Sequence, residues 1–131
     1  MQLKASTDYG MRAILYLAAQ GTTCSSKDIA EDMSIPRDYL IQLAQLLRNA
    51  GIIEARPGKH GGYRLAKDPA DMNVLEIMEA LDDDAKQSTR AKRDARKGGA
   101  MVQEIKQVYD LIEESMDAYL SSLTVQMLLD C

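Results

Sequence analysis

The chain has 131 residues, a length that fits one compact domain, or a small domain and one long helix, and excludes two large domains. Phe and Trp are absent, no apolar run approaches the roughly 20 residues that cross a bilayer, and the N-terminal residues lack the apolar core of a secretory signal, so we expect a cytoplasmic protein with no membrane partner. The net charge of −4 divides unevenly, because residues 1–67 carry nine Lys or Arg against six Asp or Glu, whereas residues 68–131 carry seven against fourteen.

Two helices are predicted at the start of the chain. Apolar residues recur at helical spacing over residues 6–20, where Ser6 or Thr7 can cap the helix and Gly21 ends it. Ser25 and Asp28 then form a capping box, in which the serine side chain accepts a hydrogen bond from a backbone N–H of the first turn. This box predicts a second, short helix.

A third helix follows closely, with Pro36 at its first position and Gly51 after its end at residue 49 or 50. Two helices joined by so short a turn indicate a helix-turn-helix. Leucines form one stripe of the third helix, and a polar stripe lies opposite at Asp38, Gln42, Gln45 and Asn49. Amide side chains suit a DNA major groove, because they pair with adenine. The N-terminal turns reach the bases in such helices, so the first candidates for DNA contact are Arg37, Asp38, Ile41 and Gln42; the alternative is an ordinary amphipathic surface helix.

Residues 52–65 predict a β-hairpin wing, because two short apolar segments flank the turn-rich residues 57–62. Lys59 and His60 lie at the tip, where they can reach a minor groove or its phosphates, and Arg56 and Arg64 flank it. For His60 a solvated loop histidine is an equal alternative. Zinc is disfavoured, since one histidine and two distant cysteines cannot supply four ligands.

The C-terminal half predicts two more helices. Asn73 and Glu76 form a second capping box before a fourth helix, whereas residues 82–99 have no apolar periodicity. From residue 101 onward apolar residues alternate by three and four, which is the spacing of a coiled-coil seam. We therefore expect this helix to pair with its copy through Val102, Ile105, Tyr109, Ile112, Met116, Tyr119 and Leu123.

The predicted fold is mainly α with a small β-hairpin wing: a winged helix-turn-helix domain plus a long C-terminal dimerisation helix. Its parts are a DNA-binding domain over residues 1–81, a charged flexible linker loop over residues 82–100, and the dimerisation helix with a C-terminal tail over residues 101–131. No serine shares a catalytic motif with the single histidine, so we do not expect an enzyme.

Several segments together resemble the Rrf-two family of bacterial winged helix-turn-helix transcriptional regulators, of the nitric-oxide-sensitive repressor and iron-sulfur cluster regulator type. The segments are residues 7–13, residues 29–31, residues 39–40 followed by residues 47–53 and, above all, the wing sequence GKHGGYRLA at residues 58–66. The resemblance implies a homodimer on an operator in double-stranded DNA. It carries recognition roles to Arg37, Asp38, Tyr39, Ile41 and Gln42, and makes Ser6, Thr7 and Tyr9 candidates for contact with the DNA backbone.

The chain departs from the family in two places. Pro57 stands where many relatives have an arginine before the wing, so minor-groove insertion passes to Arg56 or Lys59, or is lost. Cluster-binding relatives have three cysteines between the fourth helix and the dimer helix, whereas residues 82–100 contain none, so we expect no cofactor and no iron-sulfur cluster. Cys24 is expected to be a small buried residue, and Cys131 to be exposed.

Six basic residues occupy the segment instead: Lys86, Arg90, Lys92, Arg93, Arg96 and Lys97. A flexible solvated loop is the first interpretation, and extra phosphate contacts or a site for an anionic effector are the alternatives. The sequence thus predicts a dimeric, sequence-specific DNA-binding regulator, a repressor whose effector is unknown. The alternative is a winged-helix module for protein association without its own operator.

Overall fold

The computed structural model describes residues 4–82 and 100–131. It is mostly helical, with one antiparallel hairpin and a long C-terminal helix, which confirms the predicted fold class. The elements in chain order are α1 (Ala5–Gln20), α2 (Ser26–Asp32), α3 (Arg37–Asn49), β1 (Ile53–Arg56), β2 (Gly62–Leu65), a 3-10 turn (Pro69–Asp71), α4 (Val74–Leu81), α5 (Ala100–Ser122) and α6 (Val125–Leu129).

The structure confirms the helix caps that both predicted capping boxes place at Ser25 and Asn73. The Ser25 side chain accepts from the backbone N–H of Asp28 at 3.1 Å, and the Asn73 side chain accepts from the N–H of Glu76 at 2.9 Å. Each bond satisfies one of the donors that a helix leaves unpaired in its first turn. These two short helices therefore begin where the local sequence predicts.

The starts of α1 and α3 differ from the prediction by one or two residues. Lys4, which makes no capping hydrogen bond, precedes α1, and both Ser6 and Thr7 lie inside the helix, so the prediction that they cap it is wrong. Pro36 precedes α3 with φ −56° and ψ 126°, and the first helical residue is Arg37. The proline still sets the direction of the chain into the helix, because its ring fixes φ.

Leucines of α3 anchor the helix-turn-helix on the core. Leu40, Leu43 and Leu47 are almost fully buried, as the leucine stripe predicts. They pack with side chains from α1, α2 and α4 in one continuous cluster. Its largest fully buried members are Ile14, Ile29, Leu40, Leu47, Met72, Ile77, Leu81 and Val125. The opposite face of α3 is therefore held outward by the burial of this stripe.

The wing hairpin is tied to the connection after α1. Its register pairs Glu54 with Arg64, and β2 also forms a bridge in which the backbones of Cys24 and Tyr63 exchange hydrogen bonds of 2.9 and 2.8 Å. Gly62 has a φ of 150°, and a Cβ there would overlap the carbonyl oxygen of Cys24. Cys24 itself is buried, as expected from its position.

The C-terminal segment returns to the N-terminal domain. Thr124 caps α6 by accepting from the N–H of Met127 at 3.1 Å, and Val125 is fully buried. The N–H of Val74 donates to the carbonyl of Leu123 at 2.8 Å, and the N–H of Val125 donates to the carbonyl of Met72 at 2.8 Å. Helix α6 packs on α1, so the end of the chain is part of the folded core.

The predicted linker loop over residues 82–100 lies outside the described residues, apart from Asp82 and Ala100, and so do its six basic side chains. In the two described ranges, no helix combines the length and the apolar character that spanning a membrane requires.

Candidate nucleic-acid interface

The turn between α2 and α3 sets the position of the candidate recognition helix. Ser34 adopts a left-handed backbone with φ 55°. Ile35 is buried, and its N–H donates to the carbonyl of Ala30 at 2.9 Å. Because a non-glycine residue rarely adopts this backbone, the surrounding contacts must hold the turn in its shape.

The outward face of α3 carries the side chains expected to contact DNA. Arg37, Asp38, Ile41 and Gln42 are all exposed, and the side chain of Ile41 is unusual there as a large exposed hydrophobic group. An apolar side chain in this place suits the methyl group of thymine. The side chain of Gln42 makes no hydrogen bond within the described part of the chain. Its amide is therefore available to the edge of a base.

At the C-terminal end of the polar stripe, two side chains form a hydrogen bond with each other. Gln45 donates from its amide nitrogen to the side-chain oxygen of Asn49 at 3.1 Å. Gln45 lies about one turn and Asn49 about two turns after Gln42, beyond the N-terminal turns that reach bases in helices of this kind. The arrangement favours Gln42 over Gln45 as the residue that contacts a base.

The wing presents positive charge at its tip. Arg56, Lys59 and His60 are exposed, and the turn is closed by a hydrogen bond of 3.1 Å from the N–H of Gly61 to the carbonyl of Gly58. Arg64 instead donates to Glu54 at 2.8 Å, so its charge is offset by a carboxylate. Arg56 has no acidic partner within residues 4–82 and 100–131. The hairpin thus offers Arg56 and Lys59, rather than Arg64, to a phosphate.

The three candidates on α1 differ in what they can contact. Thr7 is buried and lines a pocket of about 290 Å³ between α1, α4 and α5, so its side chain lies toward α4 and α5. Ser6 is half-buried. The Tyr9 ring packs edge-on against Tyr39 of α3, with centroids 5.5 Å apart and an angle of 88° between the rings. The structure therefore brings Tyr9, and not Thr7, to the recognition helix.

Arg12 is a residue that sequence reasoning missed. Its guanidinium donates two hydrogen bonds of 3.0 Å to the carboxylate of Asp8 and one of 3.1 Å to the carbonyl of Met33. It also lies 5.1 Å from the centroid of the Tyr9 ring. The spacing of four residues between Asp8 and Arg12 was a signal for the first contact, but the contact with the distant turn has no local signal.

A second polar contact joins α1 to α2. The hydroxyl of Tyr16 donates to the carboxylate of Asp32 at 2.6 Å, and this hydrogen bond raises the pKa of Tyr16 to about 12. Burial raises the pKa of the nearby Cys24 thiol, and the carboxylates of Asp28 and Asp32 raise it further. Cys24 is therefore held in its thiol form, which is a poor nucleophile.

Helix α5 exposes an apolar face that includes most residues of the predicted seam. Val102, Ile105, Tyr109, Ile112 and Tyr119 are exposed, and so are three apolar residues that the prediction left out: Met101, Val108 and Leu111. The two remaining members of the seam, Met116 and Leu123, are half-buried by their own chain. Met116 lies on the same side of the helix as Ile112 and Tyr109 but lines the pocket against α4, so the C-terminal half of the seam is partly covered by its own chain.

Comparison with known proteins identifies the family. A family described as "Iron-dependent Transcriptional regulator", Rrf2, matches residues 3–131. The chain belongs to the Rrf2 family. It is 32% identical over 132 residues to the HTH-type transcriptional regulator NsrR of Bacillus subtilis (strain 168), a match that covers 99% of this chain and 89% of that protein.

Solved structures of other proteins have the same fold. T. potens IscR is similar with a TM-score of 0.78 and 29% identity, covering 99% of this chain and 87% of that one. The oxidized form of Staphylococcus aureus CymR is similar with a TM-score of 0.76 and 26% identity, covering 100% and 98%. The predicted family is confirmed, and the Rrf2 chain is a DNA-binding transcriptional regulator rather than an enzyme.

The description of the Rrf2 family raises the question of iron. The whole chain contains two cysteines, of which Cys24 is buried as a thiol and Cys131 is exposed at the C-terminus. In the part of the chain that the structure describes, no three His, Cys, Asp or Glu side chains are grouped as a metal site. A cluster held by three cysteines of one chain does not fit this sequence.

Proposed function

We propose that this Rrf2-family regulator binds operator DNA as a homodimer, that it reads two half-sites with its α3 helices, and that it represses transcription by blocking a promoter. The observation that carries the proposal is the pairing of two surfaces in one chain. One is the outward polar face of α3 at Arg37, Asp38, Ile41 and Gln42, and the other is the exposed apolar face of α5.

The apolar face of α5 supports a second copy of the chain as its partner. Met101, Ile105, Val108, Ile112 and Tyr119 follow one another by four, three, four and seven residues. That spacing places them along one side of a helix, as in a coiled-coil seam. Contiguous exposed apolar surface of this kind marks an interaction site in a protein that is otherwise charged. A two-fold axis along this face would make the same residues meet in both subunits.

The charges support DNA as the other partner. Residues 37–67, which include α3 and the wing, carry six Lys or Arg against two Asp or Glu. Arg37, Arg56 and Lys59 are exposed, and basic side chains of this kind supply the salt-dependent affinity for phosphates. The neutral amide of Gln42 and the apolar side chain of Ile41 then supply the choice among bases.

The remaining features of the proposal follow from the dimer. Two recognition helices related by a two-fold axis read half-sites that are about one helical turn of DNA apart, or a multiple of it. Among the candidates on α1, we retain Ser6 near the DNA backbone and assign Tyr9 to the support of α3 through its ring, with Tyr39 on α3 and His60 on the wing as further candidates. We propose that the protein works in the cytoplasm, where its operator is, and without an iron-sulfur cluster of its own. Its effector is unassigned.

The full chain and a pool of random duplexes test the proposal. We expect selection to enrich one sequence with two related half-sites, and footprinting to protect both. Affinity should fall steeply between 50 and 200 mM salt, as expected when several phosphate contacts release counterions. Gln45→Ala is a matched control for Gln42→Ala, since the Gln45 amide is engaged with Asn49. Binding without sequence preference would instead support the module for protein association.

A further inference from the structure

We propose that Arg12 is a positioning residue for the recognition helix α3, and that Tyr9 acts with it through its ring rather than through its hydroxyl. The proposal rests on the DNA-reading function proposed above. It assigns to α1 the task of fixing the turn and the first residues of α3 before DNA binds.

The first contact is between the guanidinium of Arg12 and the turn. Its Nη1 donates to the carbonyl of Met33 at 3.1 Å and lies 3.5 Å from the carbonyl of Ser34. Ser34 is the residue with the left-handed backbone, and α3 begins three residues later. A charged donor to these carbonyls therefore stabilises the turn that sets the direction of α3.

The second contact fixes the guanidinium itself. Nε and Nη2 of Arg12 donate to the two carboxylate oxygens of Asp8, each at 3.0 Å, while Nη1 is left for the turn. The planar fork of an arginine makes both contacts at once, whereas the ammonium of a lysine is a point charge without that geometry. Arg12 is thus held in one orientation by its own helix.

The third contact reaches α3 through two rings. The guanidinium of Arg12 lies 5.1 Å from the Tyr9 centroid, which is a cation–π distance, and the Tyr9 ring meets the Tyr39 ring edge-on at 5.5 Å. Tyr39 lies in the first turn of α3, between Asp38 and Ile41. The hydroxyl of Tyr9 has no hydrogen-bond partner among the described residues, so the ring alone makes these contacts.

Variants that keep the charge of Arg12 or the ring of Tyr9 distinguish a positioning role from direct contact with DNA. Arg12→Lys retains the positive charge and loses the fork. We expect its affinity for the selected operator to fall about tenfold or more, since bonds to a charged group are lost at the turn. Its affinity for an unrelated duplex, and the dependence of binding on salt, should not change. Arg64→Lys is the matched control, because Arg64 also pairs with a carboxylate but belongs to β2, and we expect it to bind both duplexes like the wild type.

The tyrosine variants test the ring. Tyr9→Phe retains the ring and should bind both duplexes like the wild type, whereas Tyr9→Leu should lose operator affinity as Arg12→Lys does. Equal losses in Tyr9→Phe and Tyr9→Leu would show that the hydroxyl contacts DNA and would overturn the role of the ring. A lower salt dependence in Arg12→Lys, or wild-type affinity for the operator, would overturn the role of Arg12.

Hydrogen exchange keeps the proposal testable apart from DNA binding. In Arg12→Lys, the amide of Ile35 should exchange faster than in the wild type and in Arg64→Lys, because the turn opens more often. Unchanged exchange would overturn positioning by Arg12. If the wild-type protein shows no preference among duplexes, the proposed function fails, and the exchange result alone then decides whether Arg12 fixes the turn.

Discussion

A charge placed in the middle of the apolar face of α5 should dissociate the proposed dimer. Ile112 is 50% exposed in the single chain. Burying the exposed half of one isoleucine in the dimer contributes about 1 kcal/mol to the association free energy. A two-fold axis places Ile112 of both subunits in the interface, so Ile112→Asp removes about 2 kcal/mol. Two carboxylates in an apolar seam add several kcal/mol more. We therefore expect the dissociation constant of the dimer to rise by at least about 100-fold, since each 1.4 kcal/mol is a factor of about ten.

Sedimentation over a range of concentrations measures this change. The wild type should sediment at twice the chain mass of 14.5 kDa, and Ile112→Asp at the chain mass with an unchanged helical circular dichroism spectrum. The matched control is Gln107→Asp, which adds the same charge at an exposed position about 140° around the same helix. A dimer that tolerates Ile112→Asp as well as Gln107→Asp would refute the use of this face.

Three further predictions concern the fold around the interface. Asp32→Asn should lower the pKa of Tyr16 from about 12 toward its usual 10, measured by ultraviolet titration against Tyr16→Phe. Because the pKa of Tyr16 is raised in the folded state, this hydrogen bond stabilises the fold below pH 10, and its contribution is lost as the pH rises toward 12. A Tyr16 titration that does not shift in Asp32→Asn would contradict the assignment. Gly62→Ala should lower the free energy of unfolding by more than about 2 kcal/mol in urea, because its Cβ meets the backbone of Cys24, while Gly21→Asn, at an open position with a φ of 66° that asparagine tolerates, should cost much less; equal losses would count against the close approach. Ser34→Gly should raise the free energy of unfolding by up to about 1 kcal/mol, because glycine adopts the left-handed backbone without strain, and a clear loss would speak against that backbone.

Local patterns predicted most of the N-terminal domain. The caps at Ser25 and Asn73, the leucine stripe of α3 and the glycine-rich turn of the wing are each decided by residues within one or two turns of one another. Such signals depend on the backbone and on nearby side chains, so a single sequence contains them. The starts of α1 and α3 were the exceptions, because Ser6 and Thr7 suit a cap but lie inside α1, and Pro36 precedes α3 instead of opening it.

The contacts that were missed join residues far apart in the chain. Helix α6 is only five residues long, and what places it is the pairing of the backbone around Thr124 with that around Asn73. The contact of Arg12 with the turn at Met33 spans 21 residues. The seam of α5 was predicted with Met116 included, because periodicity places it on the same side as Ile112 and cannot show that α4 packs beside it.

The central claim, that α3 reads bases through the amide of Gln42, is tested most directly by a cycle that pairs Gln42→Ala with base substitutions in the selected operator. The wild type should lose about 1 to 3 kcal/mol of binding free energy when the contacted base pair is changed. Gln42→Ala should lose this discrimination at that one base pair and keep it elsewhere, while Gln45→Ala keeps the wild-type profile. A profile for Gln42→Ala that matches the wild type at every base pair would contradict the claim.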